Sequence, residues 1–157
     1  MRPIDLQQRL LADHRRLEKL FTQLMEAFNA DAREDTQQLW SELERGLETH
    51  FTAEERFIFP SFGEVDAKET RELAAEHTAL RSRLADLGVG VDLKCVRADV
   101  AQDFIDGIRR HAAREDALLY RWASTALPDA SAARLFQSLP LLPKERDPFR
   151  PPEQPRA

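Results

Sequence analysis

Only one cysteine, Cys95, occurs in the whole chain, so no internal disulfide can form and no ordinary multi-cysteine zinc or iron–sulfur site can be built. That lone thiol is expected to be buried. Glycine is scarce, with five residues, and no segment alternates polar and apolar residues for long enough to read as a strand. No apolar run approaches the length of a membrane span, and the N-terminal MRPIDLQQRLLADHRR lacks the apolar stretch and small-residue cleavage site of a secretory leader. A cytoplasmic protein is expected. No block of Lys and Arg stands apart from compensating Glu and Asp, and the net charge is −5, so neither nucleic acid nor an anionic membrane surface is an expected partner. Nothing in the chain bears on its oligomeric state.

The residues that are present, 42% hydrophobic and 32% charged over 157 positions, suit a single helix-rich domain with one hydrophobic core. Leu10, Leu11, Leu17, Phe21, Leu24 and Phe28 recur at steps of three and four, which predicts a first helix over about residues 4–28. A turn at Asn29-Ala30-Asp31 precedes a second stripe, Leu39, Trp40, Leu43, Leu47, Phe51, Phe57 and Ile58, which Pro60 should stop or kink. Asp66 can cap a third helix carrying Leu73, Leu80, Leu84 and Leu87, expected to end at the Gly88-Val89-Gly90 break. A fourth, starting between Asp92 and Ala98, carries Val100, Phe104, Ile108, Leu118 and Leu119, and a short closing helix follows over Ala130 to Leu139. Short connections force neighbouring helices to run antiparallel. The predicted architecture is an all-α, up-down-up-down antiparallel four-helix bundle over residues 1–139, followed by a Pro-rich, disordered tail over 140–157.

Four histidines fall one per helix, each on its apolar stripe: His14, His50, His77 and His111. Helices two and four each add a glutamate one turn later, Glu54 after His50 and Glu115 after His111, and this spacing puts both side chains of each pair on one face. A lone inward histidine is usually a core residue bonded to a neighbour. The set is different, because burying four imidazoles and two carboxylates without strong partners costs several kcal/mol per group, and metal coordination removes that cost. An imidazole and carboxylate set without thiolate suits iron, manganese or zinc. Six donors exceed what one tetrahedral zinc takes, whereas two ions bridged by Glu54 and Glu115 use all of them. One check on height along the bundle is less direct: His77 and His111 align only if residues 88 to about 97 are loop or overhang.

The order His14, then His-x-x-x-Glu in HFTAEERFIFP, then His77 in EHTALRSRL, then His-x-x-x-Glu in HAAREDALLY resembles the hemerythrin-like, or HHE cation-binding, family over roughly residues 5 to 125. The resemblance implies two non-haem iron ions with an oxo, hydroxo or water bridge. It would put His14 and His50 on one iron, His77 and His111 on the other, and Glu54 and Glu115 across both. It also implies a role in binding or reacting with oxygen, peroxide or nitric oxide, or else iron or oxygen sensing through a stability that depends on bound iron. Respiratory hemerythrins have a fifth histidine one turn before the helix-three ligand, where this chain has Leu73. Their second carboxylate is an Asp five residues after its histidine; here Glu115 and Asp116 are both present, and Glu115 is preferred because i+4 lies closer to the histidine's face. Glu54 is preferred to Glu55, expected to turn away, and Asp13 and Glu76 are expected to be surface charges.

Overall fold

The computed structural model describes residues 3–140, with side chains from Leu6 onward. Among them every regular element is helical: α1 (Pro3–Asn29), α2 (Arg33–Phe57), α3 (Phe59–Val65), α4 (Ala67–Asp92), α5 (Ala98–Arg114), a π-helical turn (Glu115–Leu119), α6 (Tyr120–Ala126) and α7 (Asp129–Ser138). The Pro-rich segment expected at 140–157 lies, beyond Pro140, outside the described residues. α5, the π turn and α6 run on without a break. α1 packs on α2 and on the α5–α6 rod, α2 on α4, and α4 on α5, so the four rods close a ring. The short α3 and α7 cover one end.

The core falls into two layers. Leu10, Ala53, Leu73 and Leu119 belong to the layer at the α3/α7 end, and Leu17, Leu47, Leu84 and Ile108 to the layer at the opposite end. Each histidine sits in sequence between a residue of one layer and a residue of the other, so all four occupy the seam. Burying the large side chains on either side of that seam supplies about 1.5–3 kcal/mol each.

Several boundaries differ from expectation for physical reasons. α2 stops at Phe57, just before Pro60, as expected, but no linker follows: helix resumes at Phe59, and Pro60 lies in the first turn of α3, where a missing N–H leaves no hydrogen bond unmade. Asp66 caps α4 as expected, accepting from the Glu69 N–H at 2.9 Å. The Gly88-Val89-Gly90 break does not occur, and α4 runs through it to Asp92. Those glycines serve close packing instead. A Cβ on Gly88 would fall 2.5 Å from Glu44 Oε1 and 3.1 Å from Trp40 Nε1, and one on Gly90 would fall 2.6 Å from Val96 Cγ2. The longer helix also resolves the question of height: His77 stands fifteen residues before Asp92 and His111 thirteen after Ala98, a mismatch of about 3 Å. Val100 and Leu118, read as core positions, are exposed, and so is Cys95, in the turn between α4 and α5.

Candidate metal centre

At the seam the structure brings all six expected residues together. His50, Glu54, His77, His111 and Glu115 are buried, and the His14 side chain is 11% exposed. Their donor atoms form two groups that share both glutamates: His14, His50, Glu54 and Glu115 in one, Glu54, His77, His111 and Glu115 in the other, with the donor atoms of each group within 4.8 Å of one another. Each carboxylate divides its oxygens between the groups. Glu54 turns Oε1 toward His50 Nε2 at 3.4 Å and Oε2 toward His77 Nε2 at 3.4 Å. Glu115 turns Oε2 toward His14 Nε2 at 3.3 Å, and Oε1 toward His77 Nε2 at 3.3 Å and His111 Nε2 at 2.7 Å.

The outer nitrogens decide what the inner ones can do. Every Nδ1 meets a carboxylate: His14 meets Asp116 at 2.9 Å, His50 meets Asp13 at 2.8 Å, His77 meets Glu55 at 2.9 Å and His111 meets Glu76 at 2.5 Å. An ionised carboxylate only accepts, so Nδ1 carries the proton and the neutral ring presents a lone pair at Nε2. Four such lone pairs and four carboxylate oxygens then face one another with too few protons between them. Glu54 Oε2, His111 Nε2 and Glu115 Oε2 accordingly find no hydrogen-bond partner. With the rings neutral, the 2.7 Å approach of His111 Nε2 to Glu115 Oε1 brings two acceptors together, and either a cation between them or an added proton satisfies both. The donor set fits two metal ions.

Without metal the site takes protons instead. Burial opposes charge on His77, but hydrogen bonds to Glu115 and Glu54 outweigh it and raise its pKa to about 9. Burial is likewise outweighed at His14 by Asp116 and Glu115, at His50 by Glu54 and Asp13, and at His111 by Glu115 and Glu76, so all three are raised, and burial of Glu115 is overcome by the four histidines, which hold it well below the usual carboxylate range.

Asp13, Glu55, Glu76 and Asp116 correct the sequence reading. Asp13 is 3% exposed rather than a surface charge, and Glu76 and Glu55 turn not to solvent but to the outer nitrogens of histidines on neighbouring helices. Three of the four are braced by arginine: Asp13 by Arg16 at 2.7 Å, Glu55 by Arg81 at 2.6 Å and Glu76 by Arg114 at 2.5 Å. A sequence signal exists, since each is the immediate neighbour of a donor residue. One step along a helix turns the side chain by about 100°, toward the adjacent helix. Tyr120 is a further residue that the sequence reading passes over. It is fully buried, and its Oη lies 2.5 Å from Glu54 Oε1, 2.9 Å from His14 Nε2 and 3.2 Å from His50 Nε2.

A cleft of about 310 Å³, walled by Leu11, Leu17, Phe21, Leu47, Phe51 and Ile108, reaches the centre at His14, His50, His111 and Glu115. Among the described residues no helix is long and apolar enough to cross a membrane. Comparison with curated proteins and with solved structures gives no match. The model of the hemerythrin HHE cation binding domain matches residues 5–123. That span contains all four histidines and both shared glutamates, and the chain belongs to the hemerythrin HHE cation-binding family.

Proposed function

We propose that the chain is a non-haem di-iron protein whose centre binds or reacts with oxygen, peroxide or nitric oxide. His14 and His50 serve one iron, His77 and His111 the other, and Glu54 and Glu115 bridge them, with an oxo, hydroxo or water oxygen completing the pair. The observation that carries this reading is the division of each glutamate's oxygens between two histidine pairs, because a single ion would draw both oxygens to one side. Iron held this way supplies electron transfer and open coordination positions for small molecules. The alternation of the two core layers along α1, α2, α4 and α5 supports an up-down-up-down bundle, taken as one domain over residues 1–139.

The protein's own residues supply orientation and access. The four outer carboxylates hold each imidazole in one tautomer with Nε2 inward. Arg81 and Arg114 hold two of those carboxylates in place. The cleft, roughly ten times a water's share of liquid volume (~30 Å³), gives a small molecule an apolar route to Glu115 and three of the histidines. It favours a reactive centre over a purely structural one.

Iron analysis of freshly purified, iron-replete protein should give about two ions per chain. The optical spectrum should then change on exposure to oxygen, peroxide or nitric oxide. One zinc and no iron would overturn the di-iron reading. A spectrum indifferent to all three, with melting that depends strongly on iron, would favour the alternative, an iron or oxygen sensor that signals through its stability.

A further inference from the structure

We infer that Tyr120 is a seventh protein ligand, its phenolate oxygen binding the ion held by His14 and His50. The inference rests on the di-iron reading above and deepens it.

Three contacts carry it. Tyr120 Oη lies 2.9 Å from His14 Nε2, 3.2 Å from His50 Nε2 and 2.5 Å from Glu54 Oε1. A phenol has one proton to give, and the glutamate oxygen is its nearest acceptor. Once the rings are neutral, with their protons held at Nδ1 by Asp116 and Asp13, both Nε2 lone pairs face the same point as the phenol oxygen. Tyr120 Oη is about as close to the two Nε2 atoms, 2.9 and 3.2 Å, as those nitrogens are to each other, 3.1 Å. The phenol oxygen belongs to the donor cluster by position, on the His14/His50 side alone.

The backbone explains how a residue nine positions after His111 reaches the centre. In the π turn the Tyr120 N–H donates to the Glu115 carbonyl, an i to i+5 bond that sets Tyr120 one turn above Glu115 on the same face. An uninterrupted α-helix would rotate it about 140° away. Single π turns inside α-helices recur at functional sites. On binding, the phenol O–H bond breaks as the oxygen–iron bond forms and the proton leaves to solvent; no electron moves.

Tyr120 is the sole tyrosine of the chain, so any tyrosinate signal reports on it without ambiguity. The full-length protein, loaded with iron and oxidised to the ferric state, should show a broad visible phenolate-to-iron charge-transfer band. Excitation into that band should enhance tyrosinate ring modes in the resonance Raman spectrum. Tyr120→Phe, which conserves the ring, should abolish both while iron content stays at about two per chain. Should that variant fail to fold, the unmodified protein still decides through its Raman spectrum. Two ferric ions bound with no tyrosinate modes would overturn the role of Tyr120 and leave the di-iron reading intact, whereas failure to bind iron would overturn both.

Discussion

The centre has two halves that share both glutamates and differ in what surrounds them. The α1/α2 half has His14, His50 and the Tyr120 hydroxyl, with short aspartates, Asp116 and Asp13, on the outer nitrogens. The α4/α5 half has His77 and His111 with longer glutamates, Glu55 and Glu76, each tied to an arginine on α4 or α5. Arg114 gathers Glu69, Glu72 and Glu76, and Arg81 gathers Glu48 and Glu55. The second half is thus braced by arginine behind both histidines, whereas the first is braced only behind His50, by Arg16, and has a phenol within. The difference teaches that similar donor pairs can be given unequal freedom: His77 is fully enclosed, whereas His14 borders the cleft beside the partly exposed Asp116.

Removing a shared residue breaks both halves at once and should have the largest effect. Glu115 meets His14, His77 and His111 and is fully buried. Glu115→Ala should therefore empty both positions and leave Glu54 as the one anion shared by the facing imidazoles. Loss of one member of such a buried network costs about 3–5 kcal/mol, a fall in melting temperature on the order of 10 °C for a chain of this size. Metal analysis alongside thermal melting measures both. Retention of two ions by this variant would remove Glu115 from the bridge.

Proton competition offers a second way to sharpen the comparison. In metal-free protein His77 titrates at about 9, against about 6.5 when unfolded. A raised folded-state pKa means that the protonated ring stabilises the fold fully below about pH 6.5, and that this contribution, up to about 3 kcal/mol, is lost as pH rises through 9. Metal-free protein should therefore melt at lower temperature at pH 9 than at pH 6.5. Iron binding needs those protons to leave, so the iron-loaded protein should gain relative to the metal-free form over the same interval. Asp13, Glu55 and Glu115, held low chiefly against their burial by histidine and arginine partners, work in the opposite direction. Their contribution is present above the ordinary carboxylate range and fails as pH falls through their depressed values. Parallel melts of the two forms that keep a constant separation from pH 6.5 to 9 would contradict the linkage.

Leu73 tests whether the α4/α5 half can be closed from within as the other is. It lies one turn before His77, is 1% exposed, and packs in the same layer as Tyr120 and Phe59. Leu73→His adds an imidazole to this half. Without iron, a buried polar ring lacking a partner should cost about 1–3 kcal/mol. With iron, coordination should recover much of that loss and alter the optical response to oxygen. We expect the unmodified protein not to hold oxygen reversibly and the variant to hold it longer, followed as the decay of the oxygenated spectrum. Identical spectra and decay in the two proteins would show that Leu73 does not set the reactivity.

What the sequence makes legible here is whatever repeats with the helical period. The four histidines lie on apolar stripes and the two glutamates follow at i+4, so the seam and its donors could be read before any coordinates. The outer carboxylates could not, because Asp13, Glu55, Glu76 and Asp116 sit one step off the stripe. A polar residue there reads as solvated until the neighbouring helix is placed. Tyr120 was hidden for another reason. The π turn adds a residue to the period, sending Leu118 outward and bringing Leu119 and Tyr120 in. Gly88 and Gly90 read as breakers because sequence alone does not show that Glu44 and Val96 come close enough to exclude a Cβ.

The smallest effects should come from the aspartates of the α1/α2 half, and they should not be equal. Asp13 is 3% exposed and joins Arg16 to His50 Nδ1, so both of its oxygens are engaged in a dry setting. Asp116 is 38% exposed in its side chain, lies at the cleft, and bonds His14 alone. Asp13→Asn keeps the shape but removes the charge that fixes the His50 tautomer, and an amide NH₂ turned toward Nδ1 would favour the proton at Nε2, where the metal must bind. Loss of a partner of this kind lowers metal affinity about 10–100-fold. At Asp116 water can take over part of the role, so Asp116→Asn should fall at or below the lower end of that range. Competition for iron against a chelator of known strength measures both variants. A larger loss in Asp116→Asn than in Asp13→Asn would mean that His14, despite its exposure, is the more tightly governed of the two histidines.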